Sequence, residues 1–334
     1  MRALTTIGDN RVEVREHADP IPGPGDVVIA VVGAGLNRAD LLQRAGLYPA
    51  PPGSPPDIPG LEFCGTVVAT GDSVDASVIG TTVFGICGGG GQAELLVVPA
   101  EHCVAVPDGL DPLLMGGVPE AFVTAHDAMV TQCRVQPDEW VLVHAAGSGV
   151  GTAAIQLAKA LGAKVIGTAR QADKLDRAAK LGLDVGIVAP QTDGRLDVVA
   201  LASHIREATG GGVDVALDLV GGDYVTVDIQ AAAPNARISL IGTLAGGQAG
   251  LPILPTMQKR LQLTGTVLRP RSRAEKAAAT AAFARDVVPH LASGAIVPAL
   301  DAVVPLDDAT AAYDRMASDS TFGKLILDAG PSAT

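Results

Sequence analysis

The chain has 334 residues, 48% of them hydrophobic and 3% aromatic, with a formal net charge of −12 at pH 7. This length exceeds one ordinary hydrophobic core, so we expect two domains. The acidic balance repels polyanions and argues against sequence-independent binding of nucleic acid. No apolar run approaches the roughly 18–20 residues of a membrane span, and no signal-peptide core is evident near the start. We therefore expect a cytoplasmic protein.

The four cysteines are scattered along the chain without a C-x-x-C pair: Cys64, Cys87, Cys103 and Cys133. This spacing favours thiols that pack as small apolar groups over a disulfide framework or a structural zinc module. The one local basic cluster consists of Arg269, Arg271 and Arg273. We interpret that cluster as part of a solvated loop.

Short β-like runs and turns rich in glycine and proline fill the first 119 residues, which predicts a small β-rich domain. Strands are predicted at 12–15, 27–32, 65–70, 81–86 and 93–98, with a short helix at 37–44. Five prolines between Pro49 and Pro56 predict a stiff loop. The run Gly88–Gly91 fits either a hairpin turn or a close approach of backbone to a ligand.

Helices and strands alternate from residue 119 onward, which predicts a parallel sheet with helices on both faces. A helix is predicted at 119–133. The later strands are predicted at 140–143, 164–168, 185–188, 213–219 and 237–241, and the helices near 174–180, 201–209 and 224–233. A strand at 262–267, one long helix at 274–291, and strands at 302–305 and 325–327 indicate a return to the first domain.

The stretch 140–170 predicts a strand, a tight turn, a helix and a second strand. Small residues, Ala146, Ser148 and Gly151, occupy the three glycine positions of a G-x-G-x-x-G pattern. Without bulky side chains, the turn allows a pyrophosphate to reach the backbone and the positive end of the helix dipole. This context predicts a dinucleotide site.

The residues after the second strand indicate which dinucleotide binds. NAD sites usually place a carboxylate there for the ribose 2′-hydroxyl, whereas a 2′-phosphate requires a cation. This chain has Arg170 and Lys174 instead, with Asp173 between them. We predict NADPH bound through the two cations, and two solvated cations at a helix start are the alternative.

The whole chain resembles the medium-chain dehydrogenase/reductase superfamily, and within it the zinc-free quinone oxidoreductases related to the p53-inducible quinone oxidoreductase. The segments that carry the resemblance are 37–53 (NRADLLQRAGLYPAPPG), 59–67 (PGLEFCGTV), 88–99 (GGGGQAELLVVP), 119–127 (PEAFVTAHD), 144–163 (HAAGSGVGTAAIQLAKALGA) and 322–327 (FGKLIL). The resemblance implies an α/β protein with a discontinuous, GroES-like β-rich catalytic domain (1–119 and 263–334) and a doubly wound Rossmann domain that binds NADPH (120–262).

Zinc-dependent relatives have Cys, His and Cys at the positions that correspond here to Asn37, Leu61 and Glu120. An amide, an alkyl chain and one carboxylate do not make a three-ligand catalytic zinc site. We therefore expect no metal. Hydride transfer from NADPH to an electron-poor acceptor, a quinone, is the expected reaction.

Together with Arg170 and Lys174, the cofactor contacts that the resemblance implies are Asn37, Thr124, Ser148, Gly149, Val150, Ile241, Gly242, Thr243, Leu268, Arg269 and Lys324. A satisfied helix hydroxyl is the alternative for Thr124, and an N-cap is a compatible role for Asn37.

Tyr48 and Asn37 are the candidate catalytic residues. The Tyr48 hydroxyl would orient or protonate the acceptor oxygen, although an aromatic ring packed on prolines is an equal alternative. We interpret His144 as a hydrogen-bonded core residue, and Glu62 as a structural carboxylate paired with backbone or an arginine.

Three functions follow from these features. Reduction of a quinone is the first, and reduction of α,β-unsaturated carbonyls is an enzymatic alternative, because the same hydride can add to an enone. A crystallin-like protein that binds NADPH without turnover is the third. The resemblance also implies a homodimer.

Overall fold

The structure is a computed structural model that describes residues 1–330. It divides into two compact units, Met1–Val123 with Leu268–Thr334, and Thr124–Val267. The boundaries lie a few residues further along the chain than those predicted from the sequence. Within residues 1–330, none of the helices combines the length and hydrophobicity needed to cross a bilayer.

The strands, in chain order, are β1 (Arg2–Thr6), β2 (Val12–Glu16), β3 (Asp26–Gly35), β4 (Glu62–Thr70), β5 (Thr82–Ile86), β6 (Leu95–Pro99), β7 (Cys103–Ala105), β8 (Trp140–Val143), β9 (Lys164–Ala169), β10 (Val185–Val188), β11 (Gln191–Thr192), β12 (Arg195–Leu196), β13 (Val213–Asp218), β14 (Ala232–Leu240), β15 (Gln262–Gly265), β16 (Leu300–Pro305) and β17 (Lys324–Asp328). The α-helices are α1 (Arg38–Arg44), α2 (Pro112–Met115), α3 (Pro119–His126), α4 (Gly149–Ala160), α5 (Ala172–Ala179), α6 (Val198–Thr209), α7 (Asp223–Ala231), α8 (Ile253–Lys259), α9 (Arg273–Asp286), α10 (Val288–Ala292) and α11 (Ala309–Ala317). A π-helical stretch, Asp127–Gln132, continues α3, and three 3₁₀ turns cover Ala76–Val78, Ala100–His102 and Leu306–Asp308.

The first unit is built on a sheet in the order β16-β17-β3-β4-β5-β7, with β6 also paired to β3. All its pairs are antiparallel except the parallel pair of β16 and β17. The pairing of β17 with β3 joins the two sequence segments of this unit, because Ile326 lies opposite Gly35. This register brings Lys324, at the start of β17, to the residues that follow β3.

The second unit contains a parallel sheet in the order β10-β9-β8-β13-β14-β15, which is the predicted doubly wound arrangement. The chain moves outward from β8 to β10 on one side and from β13 to β15 on the other. The strand order therefore reverses between β8 and β13, and ligands of such sheets bind beyond the carboxyl ends of the strands at this reversal. Apolar residues such as Leu142, Ile166 and Ile238 fill the core of this unit.

The prediction of a single helix at 274–291 is wrong near its end, because the structure has two helices there: α9 ends at Asp286 and α10 begins at Val288. Pro289 lacks an N–H donor and its ring blocks a continuous helix, but the first turn of a new helix accepts it. Neither α8 nor α11 is among the helices predicted from the sequence. Prolines at 252 and 255 obscure the periodicity of α8.

Candidate functional site

The turn between β8 and α4 has the geometry of an anion-binding loop. Ser148 caps α4, and its Oγ accepts the N–H of Gly151 at 3.0 Å. A Cβ on Gly151 would lie 2.5 Å from the carbonyl oxygen of Ala145, so this position requires glycine. No residue in the described part of the chain accepts the N–H groups of Gly149 and Val150. These two donors at the positive end of a helix fit a pyrophosphate.

The two predicted phosphate-binding cations lie at the carboxyl end of β9. Arg170 directly follows the strand and is exposed, and Lys174 lies in the first turn of α5. The Arg170 guanidinium is near enough to the Tyr224 hydroxyl to oppose the rise that burial causes in the pKa of Tyr224. Two cations therefore lie at this strand end, with Asp173 between them in the sequence, and a 2′-phosphate needs a cation there.

The loops that follow β13 and β14 are tied together by Asp218. Its carbonyl oxygen accepts the N–H groups of Ile241 and Gly242 at 2.8 and 3.1 Å. Its carboxylate oxygen Oδ1 accepts the N–H groups of Val220 and Gly221, each at 2.8 Å. These bonds fix the backbone at Ile241 and Gly242, while Thr243 lies further along the same loop.

His144 directly follows β8 and is completely buried. Its Nδ1 lies 2.7 Å from the Thr168 hydroxyl and its Nε2 lies 2.9 Å from Asp228 Oδ1. Burial lowers the pKa of His144, but the Asp228 carboxylate outweighs this and leaves it raised. The His144 ring also packs edge-on against Tyr224. These contacts fit the interpretation of His144 as a hydrogen-bonded core residue.

Thr124, in α3, is half-buried, and its hydroxyl makes no hydrogen bond to any described residue. The hydroxyl therefore has its donor and acceptor capacity available. Leu268, at the start of the returning segment of the first unit, is 7% exposed. Its side chain contributes apolar packing.

A buried ion pair forms where β3, β4 and β17 meet in the first unit. The Lys324 ammonium donates to Glu62 Oε1 at 2.5 Å, to Asn37 Oδ1 at 2.7 Å and to the Leu36 carbonyl at 2.9 Å. Asn37 Nδ2 also donates to Glu62 Oε1 at 2.9 Å, and the N–H of Glu120 donates to Glu62 Oε2 at 2.9 Å. Glu62 therefore has the backbone partner that the sequence analysis expected, and its cationic partner is Lys324.

Two further carboxyl groups near this ion pair are perturbed. Burial raises the pKa of Asp40 to about 6, even though the N–H groups of Asn37 and Gly60 donate to it. Burial and the nearby Glu62 carboxylate raise the pKa of Glu120 to about 8, and Lys324 opposes this rise. Perturbed carboxyl groups of this kind mark candidate functional sites.

Arg269 is 4% exposed, so its interpretation as part of a solvated loop is wrong. Its guanidinium donates to the carbonyls of Gly88 and Tyr48 at 2.8 and 3.0 Å and to Gln43 Oε1 at 2.6 Å. The guanidinium carbon also lies 4.8 Å from the centre of the Tyr48 ring. Arg269 therefore fixes the backbone and the ring of Tyr48, directly before the proline-rich loop that starts at Pro49, and its three long-range hydrogen bonds satisfy it away from solvent.

The donor set at the three positions that bind zinc in relatives does not fit that metal. Asn37 Oδ1 accepts a hydrogen bond from the Lys324 ammonium, and Leu61 has no donor atom. Among residues 1–330, no three His, Cys, Asp or Glu side chains are placed to share one metal ion. A catalytic zinc site needs three such ligands.

Two family models match the chain. "Alcohol dehydrogenase GroES-like domain" matches residues 23–108, and "Zinc-binding dehydrogenase" matches residues 149–283. A GroES-like unit combined with a doubly wound parallel sheet defines a class of dinucleotide-dependent oxidoreductases. The chain belongs to the medium-chain dehydrogenase/reductase superfamily.

Among curated proteins, a phenolphthiocerol/phthiocerol polyketide synthase of Mycobacterium tuberculosis is 32% identical over 315 residues, which cover 92% of this chain but only 14% of that longer protein. Mycobacterial Rv1454c complexed with NADPH has a TM-score of 0.85 at 28% identity, covering 98% of this chain and 99% of that one. A quinone oxidoreductase of Pseudomonas syringae pv. tomato DC3000 has a TM-score of 0.85 at 29% identity, with the same coverage.

The sequence analysis did not identify Glu120 as a functional residue, because in the sequence it is notable only for replacing a cysteine that binds zinc in relatives. Glu120 lies beside Glu62 only in the folded chain, and the two residues are too far apart in the sequence for a local motif to show this. The one available signal was an acidic residue in the first turn of a mostly apolar helix.

Proposed function

We propose that the protein is an NADPH-dependent quinone oxidoreductase that works without zinc. The observation that carries this proposal is the pair of free N–H donors at Gly149 and Val150, at the same sheet edge as Arg170. When bound, NADPH supplies a hydride to an electron-poor acceptor. The similarity to Rv1454c in complex with NADPH, and to a quinone oxidoreductase, supports both cofactor and acceptor.

Each part of the cofactor has proposed partners in the chain. The loop at Ser148, Gly149 and Val150 binds the pyrophosphate, and Arg170 with Lys174 binds the 2′-phosphate. The loop of Ile241, Gly242 and Thr243 faces the nicotinamide carboxamide. The further proposed contacts are Asn37, Thr124, Leu268, Arg269 and Lys324. Lys324 acts indirectly, because protein groups occupy all three of its donors, and three bonds to protein groups hold the Arg269 guanidinium in place.

The absence of a zinc site is part of the same proposal. Lys324 places an ammonium between Asn37 and Glu62, so the cation at these positions is part of the protein. A fixed ammonium cannot acidify an alcohol as bound zinc does. A quinone is electron-poor enough to accept hydride without such a Lewis acid.

Tyr48 is the proposed group that orients the acceptor. Its ring is half-buried under Arg269, and its hydroxyl makes no hydrogen bond to a described residue. Burial raises the pKa of Tyr48 and Arg269 opposes the rise. The hydroxyl therefore stays protonated at neutral pH and can donate a hydrogen bond to an acceptor oxygen. Asn37 supports the site by holding Lys324 and Glu62.

The second candidate is reduction of α,β-unsaturated carbonyls by the same cofactor. The similarity of 92% of this chain to a segment of a polyketide synthase is the observation that favours it. A non-catalytic NADPH-binding protein is the third candidate.

Following NADPH absorbance separates the three candidates. We expect rapid NADPH oxidation with 1,4-benzoquinone and ortho-quinones, slower oxidation with short enals, and no loss of activity after treatment with a chelator. Faster turnover of enals would favour the second candidate. Tight NADPH binding with no oxidation by any acceptor would favour the third, and loss of activity with a chelator would contradict the zinc-free proposal.

A homodimer is also proposed. In and beside α8, four apolar side chains are more than half exposed: Leu251, Ile253, Leu254 and Met257. Among the described strands, β15 is also an edge strand of the second unit's sheet, paired with β14 on one side only. A second copy of the chain would cover both features. We expect a dimer in sedimentation experiments and a monomer when Leu254 and Met257 are both replaced with Glu; a wild-type monomer would contradict the proposal.

A cytoplasmic location belongs to the same proposal. All four cysteines are free, which suits a reducing compartment.

A further inference from the structure

The carboxyl group of Glu120 has no hydrogen-bond partner among the described residues, although it lies beside a buried ion pair. Glu120 occupies the first turn of α3, and its N–H is held by Glu62 Oε2 at 2.9 Å. Glu120 is half-buried, so its carboxyl group keeps some access to solvent. The backbone of Glu120 is thus fixed while its acidic group remains available.

Six charged or titratable groups are near enough to Glu120 to interact with it electrostatically: Glu62 of β4, Lys324 of β17, Asp40 of α1, Lys276 of α9, Cys87 after β5, and Tyr48. Burial is the largest influence, and the Glu62 and Asp40 carboxylates add to it, so that the pKa of Glu120 rises to about 8. Lys324 and Lys276 act in the opposite direction. The carboxyl therefore retains its proton at neutral pH.

Hydride transfer to a quinone needs a proton as well: NADPH, one proton and a quinone give NADP⁺ and a hydroquinone. Tyr48 is a poor source, because burial raises the pKa of its phenol and makes it a weaker acid than usual. A carboxylic acid that titrates near the working pH is better matched to general acid catalysis. Glu120 and Tyr48 influence each other electrostatically, so both bear on the same part of the first unit.

We propose that Glu120 is the proton donor of the reaction, a role that depends on the proposed reductase function. The O–H bond of the Glu120 carboxyl breaks and an O–H bond forms on the acceptor oxygen, which receives negative charge from the hydride. The electron pair of the broken bond stays on the carboxylate. Solvent water returns a proton to Glu120 after each turnover, and Tyr48 holds the acceptor oxygen by a hydrogen bond.

The test compares wild type, Glu120→Gln, Tyr48→Phe and the exposed control Glu207→Gln. In the wild type, kcat/KM for a quinone should be constant below about pH 8 and fall as the pH rises through that value, because the proton is lost. Glu120→Gln should lower kcat about 100-fold and abolish this fall. Its NADPH affinity should stay within about twofold, and Tyr48→Phe should keep the pH dependence. Glu207→Gln should behave as wild type.

Two measurements that need no turnover accompany the kinetics. Infrared difference spectra between wild type and Glu120→Gln should show a protonated carboxyl at pH 7. Because the folded-state pKa is raised above the ordinary 4.5, wild type should lose stability between pH 4.5 and 8, and Glu120→Gln should not lose this part. A carboxyl that ionises near pH 4.5 would overturn the inference.

Kinetic outcomes distinguish the inference from the function on which it rests. If the wild type fails to oxidise NADPH with every acceptor tested, both the proposed reductase function and the role of Glu120 are overturned. An active wild type whose pH profile survives in Glu120→Gln but disappears in Tyr48→Phe overturns the role of Glu120 alone.

Discussion

Replacement of Lys324 with Met should lower the free energy of unfolding by about 3–5 kcal/mol, because it leaves Glu62 as an unpaired buried charge. The Glu62 side chain is fully buried, and the substitution removes its strongest partner and a donor to Asn37. A urea titration followed by circular dichroism measures this loss.

A double-mutant cycle identifies the cause of that loss. Adding Glu62→Gln to Lys324→Met removes the unpaired charge, so the double variant should be more stable than Lys324→Met alone, with a coupling of about 0.5–3 kcal/mol. The exposed lysine Lys180 provides the control, and Lys180→Met should change stability by no more than about 0.5 kcal/mol. Additive losses for the two single variants would show that the ion pair is not coupled in the folded protein.

Replacement of Arg170 with Ala should weaken NADPH binding by about 10- to 100-fold and leave NADH binding almost unchanged. A hydrogen bond to a charged group contributes about 1.5–3 kcal/mol, and only NADPH carries the 2′-phosphate. Lys174→Ala should act in the same direction, but less strongly, because Lys lacks the two-pronged geometry of Arg. Fluorescence titration with each reduced nucleotide gives the two dissociation constants directly.

The control for this prediction is Arg195→Ala, an exposed cation elsewhere in the same unit. It should leave both affinities unchanged, which excludes a general effect of net charge. An equal loss of NADPH and NADH binding in Arg170→Ala would mean that the guanidinium supports the fold of the loop instead of recognising the phosphate. A wild type that prefers NADH would contradict the assignment of NADPH.

Much of the fold was predictable because its signals are local. The alternation of strands and helices from residue 119 onward predicted a parallel sheet with helices on both faces, and the small residues from Ala146 to Gly151 predicted the turn into α4. The helix predicted at 274–291 failed at Val287, where the tertiary fold turns the chain and Pro289 starts a new helix. Periodicity alone does not separate one long helix from two short ones in alanine-rich sequence.

The sequence by itself determined the nucleotide-binding unit, the cations that follow β9 and the lack of cysteine and histidine at the positions that bind zinc in relatives. These features depend on residues within one strand-turn-helix unit or on the chemistry of single side chains. Only the tertiary structure decided the partners of Glu62, Glu120 and Arg269. Lys324 reaches Glu62 across 262 residues of chain and Arg269 reaches Gln43 across 226, because β17 pairs with β3 and the returning segment folds onto the proline loop. Contacts at such separations leave no periodic pattern in sequence, since they arise from the packing of whole strands.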